Sequence, residues 1–210
     1  MPAATRSPSP SIFARVPPAD ALREETASSE RLYDGQVLRL RRDSVRLPDG
    51  RTAQREVVEH PGSVVILALE AGGMIPFVRQ WRTPAECALL ELPAGTLDAG
   101  EDPQIAAARE LEEEVGLRPG RLERVHRFWI SPGWATEYMH GYLARDCTRV
   151  PARPDEDELL FVERYTLEES MQLVREGEVE DAKSLLMLHA LALSAIGSRG
   201  VRTIQDYRAD

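Results

Sequence analysis

The sequence predicts an α/β fold in which helices cover both faces of a mixed sheet, an α/β/α sandwich preceded by a unit of antiparallel strands. Three observations lead there. Residues 62–70 (GSVVILALE) form a continuous aliphatic run, the pattern of a strand buried on both faces. Residues 102–116 open on Asp102-Pro103 and close on Gly116, which are the start and stop signals of a helix, and two more helical stretches follow near the C-terminal end. Short alternating runs bounded by Gly, Pro and Asp fill the intervals as further strands.

Residues 1–28 are rich in Pro, Ala and Ser with little periodicity, so a flexible arm with a short helical turn near Ala19 to Glu25 is expected. Residues 29–58 read as an antiparallel unit. Glu30 to Leu40 and Ser44 to Glu59 are strand-like, and Leu47-Pro48-Asp49-Gly50 has turn chemistry. Residues 59–198 make the main domain. After the aliphatic strand, Gly72-Gly73 turns the chain, Met74 to Trp81 is expected beside that strand, and Cys87 to Leu92 leads into a loop at Gly95. Beyond the helix at 102–116, Arg121 to Ile130 and Glu137 to Arg145 alternate as two strands joined by Ser131-Pro132-Gly133-Trp134. A loop rich in Pro and acid (Val150 to Glu158) precedes a strand from Leu159 to Tyr165, a helix from Leu167 to Glu176 and a longer helix from Asp181 to Ile196 with Leu185, Leu186, Leu188, Leu191 and Leu193 as its apolar face. Residues 199–210 read as a polar tail.

The chemistry concentrates in the stretch from Gly95 to Leu117. At 3.6 residues per turn Glu110 and Glu114 stand at i and i+4 and Glu113 at i+3, so three carboxylates share one helix face, where like charges repel. A hard divalent cation held by oxygen ligands would offset that repulsion. Ile105, Ala108, Leu111 and Val115 lie on another face and are expected to pack on the sheet. Arg109 points away from Glu110 on this geometry, and a salt bridge to Glu101 would tie the loop to the helix.

Gly95, then five residues, Glu101, then seven residues, Arg109-Glu110, an aliphatic residue, one residue, Glu113-Glu114, one residue, Gly116 and Leu117 resemble the Nudix box with every fixed position filled. Three further stretches resemble the ADP-ribose pyrophosphatase branch of the Nudix hydrolase family: Val78-Arg79-Gln80-Trp81-Arg82, Glu91-Leu92-Pro93-Ala94-Gly95, and Ser131-Pro132-Gly133 placed 15 to 17 residues after Gly116. With Asp181-Ala182-Lys183 the resemblance spans about Tyr33 to Ala192.

The resemblance implies a Mg- or Mn-dependent hydrolase that cleaves the pyrophosphate of ADP-ribose to AMP and ribose 5-phosphate. It implies metal ligands at Glu110, Glu113, Glu114 and the Ala94 carbonyl, with Gly95, Glu101, Arg109 and Gly116 keeping the box in shape. It also implies a general base from a loop closing over the metals. Glu158 is the favoured base, with Glu156 beside it and Glu113 as the rival in the helix. Arg82 and Arg79 supply positive charge for a diphosphate, and Ser131, Pro132 and Gly133 let the backbone approach a ribose. Where some relatives stack an aromatic on adenine this chain has Arg55, whose planar guanidinium can stack on a base. Trp81, Trp129 and Trp134 are expected in the core, with base stacking as the alternative, and both cysteines as small buried hydrophobes.

Composition narrows the function. With 35 acidic against 26 basic residues and a net charge of −9, the chain is not built to track a nucleic-acid backbone, so an anionic substrate has to meet local arginines and metal. Two cysteines without a CxxC, no apolar core for a signal peptide and no membrane-length apolar run make a reduced, cytoplasmic setting the expectation. Other nucleoside diphosphate derivatives, such as sugar nucleotides and dinucleoside polyphosphates, are the alternative substrates. A non-catalytic nucleotide-binding regulator is the alternative class, against which the intact box argues. Strands at 29–58 with Val37, Leu38, Leu40, Val45 and Leu47 would leave open edges in a monomer, so a homodimer is expected.

Overall fold

The computed structural model describes residues 18–154 and 158–197. The arm before residue 18, Glu156 and the tail from residue 198 lie outside the described residues. The chain divides into two compact units, residues 1–58 and 59–210.

In the first unit a 3-10 turn at Ala19–Leu22 precedes β1 (Glu25–Asp34), β2 (Arg39–Arg46) and β3 (Thr52–Glu59), which form one sheet in the order β1-β2-β3. β1 begins at Glu25, five residues before the expected start. Thr26, Ser28 and Ser29 pair with Val45, Ser44 and Asp43 of β2, so ladder pairing makes a strand where no apolar alternation announces one. The expected strand from Glu30 to Leu40 is broken at Gly35, whose N–H donates to the Leu38 carbonyl at 3.0 Å and turns β1 into β2. The turn at Leu47 to Gly50 forms as expected, closed by the Gly50 N–H on the Leu47 carbonyl at 2.9 Å with Gly50 at φ 86°. All ten residues of β1 are exposed, and of the five apolar residues singled out in this unit Val45 is the buried one.

The second unit is built on β4 (Ser63–Ala68), in which all six residues are buried. β4 lies inside a four-stranded sheet of order β7-β4-β10-β9, with β7 at Ala94–Thr96, β9 at Arg121–Trp129 and β10 at Tyr138–Arg145. It runs parallel to β10 and antiparallel to β7, so the sheet is mixed. β5 (Met74–Arg82) is not the neighbour of β4. It sits in an antiparallel sheet of order β12-β5-β6, between β6 (Cys87–Glu91) and β12 (Phe161–Thr166). The edge of β4 that a local hairpin would use is taken by β10, a distant parallel partner that local patterning cannot announce. A small ladder of β8 (Leu117–Arg118) with β11 (Thr148–Arg149) completes the strands.

Alternation along β4 explains the layers. Val64, Ile66 and Ala68 share a core cluster with Ala106, Ala107, Leu111 and Val115 of α1 (Pro103–Val115). Val65 and Leu67, on the opposite face, share another with Met187 and Leu188 of α3 (Ala182–Gly197). Successive strand residues point to opposite faces, so one aliphatic run is covered by a helix on each side. Between β12 and α3, α2 (Leu167–Glu176) starts with a capping box in which Thr166 and Glu169 satisfy each other's backbone N–H groups.

In α1, Asp102 accepts the Gln104 N–H at 2.7 Å, Pro103 occupies the first turn, and Gly116 closes the helix at φ 70°. The buried stripe runs through Ala106, Ala107, Leu111, Glu114 and Val115, whereas Ile105 is 64% exposed. Of the expected face Leu111 and Val115 are buried and Ala108 is half-buried, while Ile105 falls outside the stripe; alanines let the helix lie close to the sheet. In α3 Leu188 is buried and Leu193 is exposed, again a shorter apolar face than expected.

Candidate active site

α1 brings its carboxylates up against the turn that enters β7. Glu114 is 3% exposed, and one of its oxygens accepts the Ala94 N–H at 3.0 Å. Burial, then the charge of Glu110, pushes the Glu114 carboxyl up to about 8, with Glu158 adding to it and the Ala94 N–H and Arg82 opposing. Burial likewise pushes Glu110 up to about 7; Arg109 opposes the shift, and Glu113 and Glu158 add to it. A Cβ on Gly95 would overlap the Glu110 carboxyl, so a larger residue there would displace that carboxylate from its present position.

Arg109 makes the predicted bond to Glu101, with Nε to Oε1 at 3.1 Å and Nη2 to Oε2 at 3.0 Å. It does more than expected. Its Nη1 donates to Glu110 at 2.8 Å and to Glu113 at 2.9 Å, so the arginine does not point away from Glu110. A guanidinium long enough to reach back over its own helix is drawn into the gap between two repelling carboxylates. Glu101 is held below its ordinary range chiefly by the Arg109 hydrogen bond, and its Oε2 also accepts the Asp98 N–H at 3.1 Å.

Glu158 reaches this cluster through its charge, felt at both Glu110 and Glu114. It does not directly precede a strand: β12 begins at Phe161, and Glu158 to Leu160 form irregular chain. Arg82, at the end of β5, is bound to Glu91, with Nη2 to Oε2 at 2.5 Å and Nε to Oε1 and Oε2 at 3.2 and 3.1 Å. Arg79 donates from Nε to Glu163 at 2.5 Å, and the Tyr165 hydroxyl takes the other oxygen of that carboxylate. Arg55 belongs to the first unit, where Glu24 holds it at 2.5 and 3.0 Å. Ser131, Pro132 and Gly133 form the turn between β9 and β10, with the Ser131 carbonyl accepting the Trp134 and Ala135 N–H groups at 3.1 and 2.9 Å. Nothing lies within 4 Å of where a Gly133 side chain would be, so the protein's own packing does not call for glycine there.

Trp81, Trp129 and Trp134 are all more than half exposed, against the expectation of core positions. Trp81 and Trp129 sit at strand ends and Trp134 in a turn, where the described residues leave them uncovered. Trp129 packs edge-on against Tyr138 at 4.7 Å between ring centroids. Cys87 and Cys147 are free and half-buried rather than buried.

Beneath Arg82 lies a set of charges for which the sequence alone implies no role. Glu91 is 3% exposed; besides Arg82 it faces the Lys183 ammonium at 3.4 Å and the Gln80 amide at 3.4 Å. Lys183 is held by Asp181 at 2.9 Å, and Asp181 accepts the Ser184 N–H at 2.9 Å and its hydroxyl at 2.5 Å. The signal was present: Glu91 interrupts the apolar run Leu89-Leu90-Glu91-Leu92, and a charge in such a run needs a buried partner.

A hard cation suits these residues. Glu114 is a buried and Glu110 a half-buried carboxyl, the ionised form of each is disfavoured, and Arg109 already supplies positive charge to Glu110 and Glu113. As the side chains stand, no three acidic, histidine or cysteine groups among the described residues close around one point. Backbone carbonyls such as that of Ala94 would have to contribute. Among the described residues no helix is long and apolar enough to cross a membrane.

Residues 52–188 match the NUDIX domain, and residues 24–58 match the nucleoside diphosphate sugar hydrolase N-terminal domain. The chain is 40% identical over 175 residues to the ADP-ribose pyrophosphatase of Bacillus subtilis (strain 168), covering 82% of this chain and 95% of that one. It is 39% identical over 172 residues to the methanol dehydrogenase activator of Bacillus methanolicus, covering 81% and 93%. Among solved structures, an ADP compounds hydrolase superposes with a TM-score of 0.73 at 21% identity, covering 84% of this chain and 96% of that one, a likeness of fold.

Proposed function

The chain belongs to the Nudix hydrolase family, and we propose that it hydrolyses the pyrophosphate of ADP-ribose to AMP and ribose 5-phosphate with Mg²⁺ or Mn²⁺. The observation that carries the chemistry is the pair of buried Glu114 and half-buried Glu110 set against Ala94 and Gly95. The choice of substrate rests on the similarity to an ADP-ribose pyrophosphatase along nearly its whole length. Nudix hydrolases use divalent metals. Here Glu110, Glu114, Glu113 and the Ala94 carbonyl would hold the cation, which would supply neutralisation of charge on the diphosphate oxygens.

This chain's own residues do the rest. Glu158 takes the proton of a water whose oxygen attacks phosphorus, and the bridging oxygen leaves with the other phosphate. Glu113 is the rival base. Arg82 and Arg79 face the diphosphate, and Ser131, Pro132 and Gly133 the ribose. Two free cysteines fit a reducing, cytoplasmic setting. The strands of residues 29–58 pair across a twofold axis in a homodimer, a reading supported by the full exposure of β1.

The match of residues 24–58 to a domain of nucleoside diphosphate sugar hydrolases favours sugar nucleotides as the second reading. A substrate panel scored by kcat/KM decides, since that ratio reports discrimination. ADP-ribose is expected to lead GDP- and UDP-sugars; a sugar nucleotide ahead of ADP-ribose overturns the assignment.

A further inference from the structure

The buried Glu91 and Lys183 and the half-buried Asp181 form a chain of charges that ends at Arg82. The side chains of Glu91 and Lys183 are 4% and 10% exposed, whereas Arg82, at the outer end, is 39% exposed. Nε and Nη2 of Arg82 are committed to Glu91, while its Nη1 makes no hydrogen bond to any described residue. The fork is thus held by one edge and offers the other. Burial works against the Arg82 charge, and the hydrogen bond and field of Glu91, with the fields of Glu114 and Asp181, outweigh it and raise the guanidinium's pKa. Arg82 therefore lies within electrostatic reach of the carboxylate that would bind metal.

Stability does not explain the set. Glu91, Lys183 and Asp181, largely withdrawn from water, gain little over apolar residues of the same volume, because desolvation offsets their attraction to one another and to Arg82. Fixed geometry is what such a network supplies. An arginine left to solvent explores many rotamers, whereas one whose Nε edge is clamped presents its remaining N–H groups in a single direction. Glu91 could not hold that direction alone. Its Oε2 is shared by Arg82, Lys183 and Gln80, and Lys183 is itself pinned by Asp181, whose other oxygen caps the start of α3 through Ser184. Ser184 also receives the Leu92 N–H at 2.7 Å, tying α3 to the residue after Glu91.

We propose that Lys183 and Asp181 are positioning residues that fix Glu91 and, through it, aim the free edge of Arg82 at the diphosphate of the substrate. This rests on the assignment of Arg82 to the diphosphate. Lys183 touches no substrate atom; its effect passes through two side chains and falls on substrate binding.

The test is a mutant cycle read as KM and kcat for ADP-ribose at saturating metal, with thermal stability alongside. Lys183→Met keeps the buried stem and removes the charge, and the pair Asp181→Asn with Lys183→Met removes one charge of each sign and keeps the site neutral should the single variant fold poorly. Arg82→Ala is expected to raise KM about tenfold or more, as loss of a charge-assisted contact does. Lys183→Met, or the charge-neutral pair, is expected to raise KM severalfold with kcat within about twofold, and to add nothing in the Arg82→Ala background. Lys183→Arg is expected to restore part of the loss. An unchanged KM in Arg82→Ala overturns both the diphosphate assignment and the positioning role. A raised KM in Arg82→Ala beside an unchanged KM in the Lys183 variants overturns the positioning role alone. So does a Lys183 effect that persists undiminished without Arg82, since it then travels by another route.

Discussion

At Glu110 and Glu114 burial and the repulsion of neighbouring carboxylates act in the same direction, and that gives a signature in pH. Both carboxyls rise from the ordinary 4.5 to about 7 and about 8. A folded-state value above the unfolded one means that the stability they contribute is fully present below about pH 4.5 and is lost as pH rises through 7 and 8. Glu101, Asp43 and Glu163, all held low in the fold, act only at more acid pH, and His126 and His140, lowered by burial, act below about pH 6.5. Between about pH 6.5 and about pH 8 the metal-free protein should therefore lose thermal stability, Glu114→Gln should lose less, and a divalent cation should cancel the loss by holding both groups ionised. A flat profile in chelator would show that the pair is not desolvated. The positions of Glu110, Glu113 and Glu114 on one face were legible because i, i+3 and i+4 spacing is a property of the helix itself. The Glu91, Lys183 and Asp181 set was not, since its members come together only when a strand and a helix some 90 residues apart pack.

Among the elements, the segment before β12 and the end of α1 carry the sharpest expectations. Glu158→Gln should lower kcat by roughly 10² to 10⁴, the range for a general base, with metal affinity little changed. If Glu113→Gln carries that loss and Glu158→Gln is neutral, the base lies in the helix. Gly116 ends α1 at φ 70°, and a Cβ there would stand 2.6 Å from the Val150 carbonyl oxygen. Gly116→Ala should thus cost about 1 kcal/mol or more of stability from the left-handed backbone, before the clash is counted. A melting temperature equal to that of the natural protein would contradict it. Helix limits were legible from Asp102, Pro103 and Gly116 because caps are local chemistry. The phase of the buried stripe was legible only in part: Leu111 and Val115 are buried as their spacing implies, yet Ile105 is exposed and Ala106 and Ala107 meet the sheet because small side chains permit the closer approach. The partner of β4 was hidden for the related reason that parallel pairing with β10 depends on tertiary arrangement.

For the whole molecule, the exposed β1 and the unit that contains it predict assembly. Removal of residues 1–58 should give a monomer or an insoluble chain with little activity on ADP-ribose, while light scattering on the full chain should give a dimer at micromolar concentration. A fully active full-length monomer would contradict the twofold arrangement. The order of elements, with one aliphatic strand covered by a helix on each face, was legible from the run at 62–70; the separation of β5 into a second sheet was not. The measurement that bears most directly on the account is the hydrolysis of ADP-ribose by the full chain and by Glu114→Gln, with and without chelator. The natural chain with Mg²⁺ should release AMP and ribose 5-phosphate in equal amounts, and both chelation and the amide substitution should stop it, since each removes the charge pairing between metal and the buried carboxylate. Undiminished release of AMP by Glu114→Gln at saturating Mg²⁺ would contradict the placement of the metal site in α1.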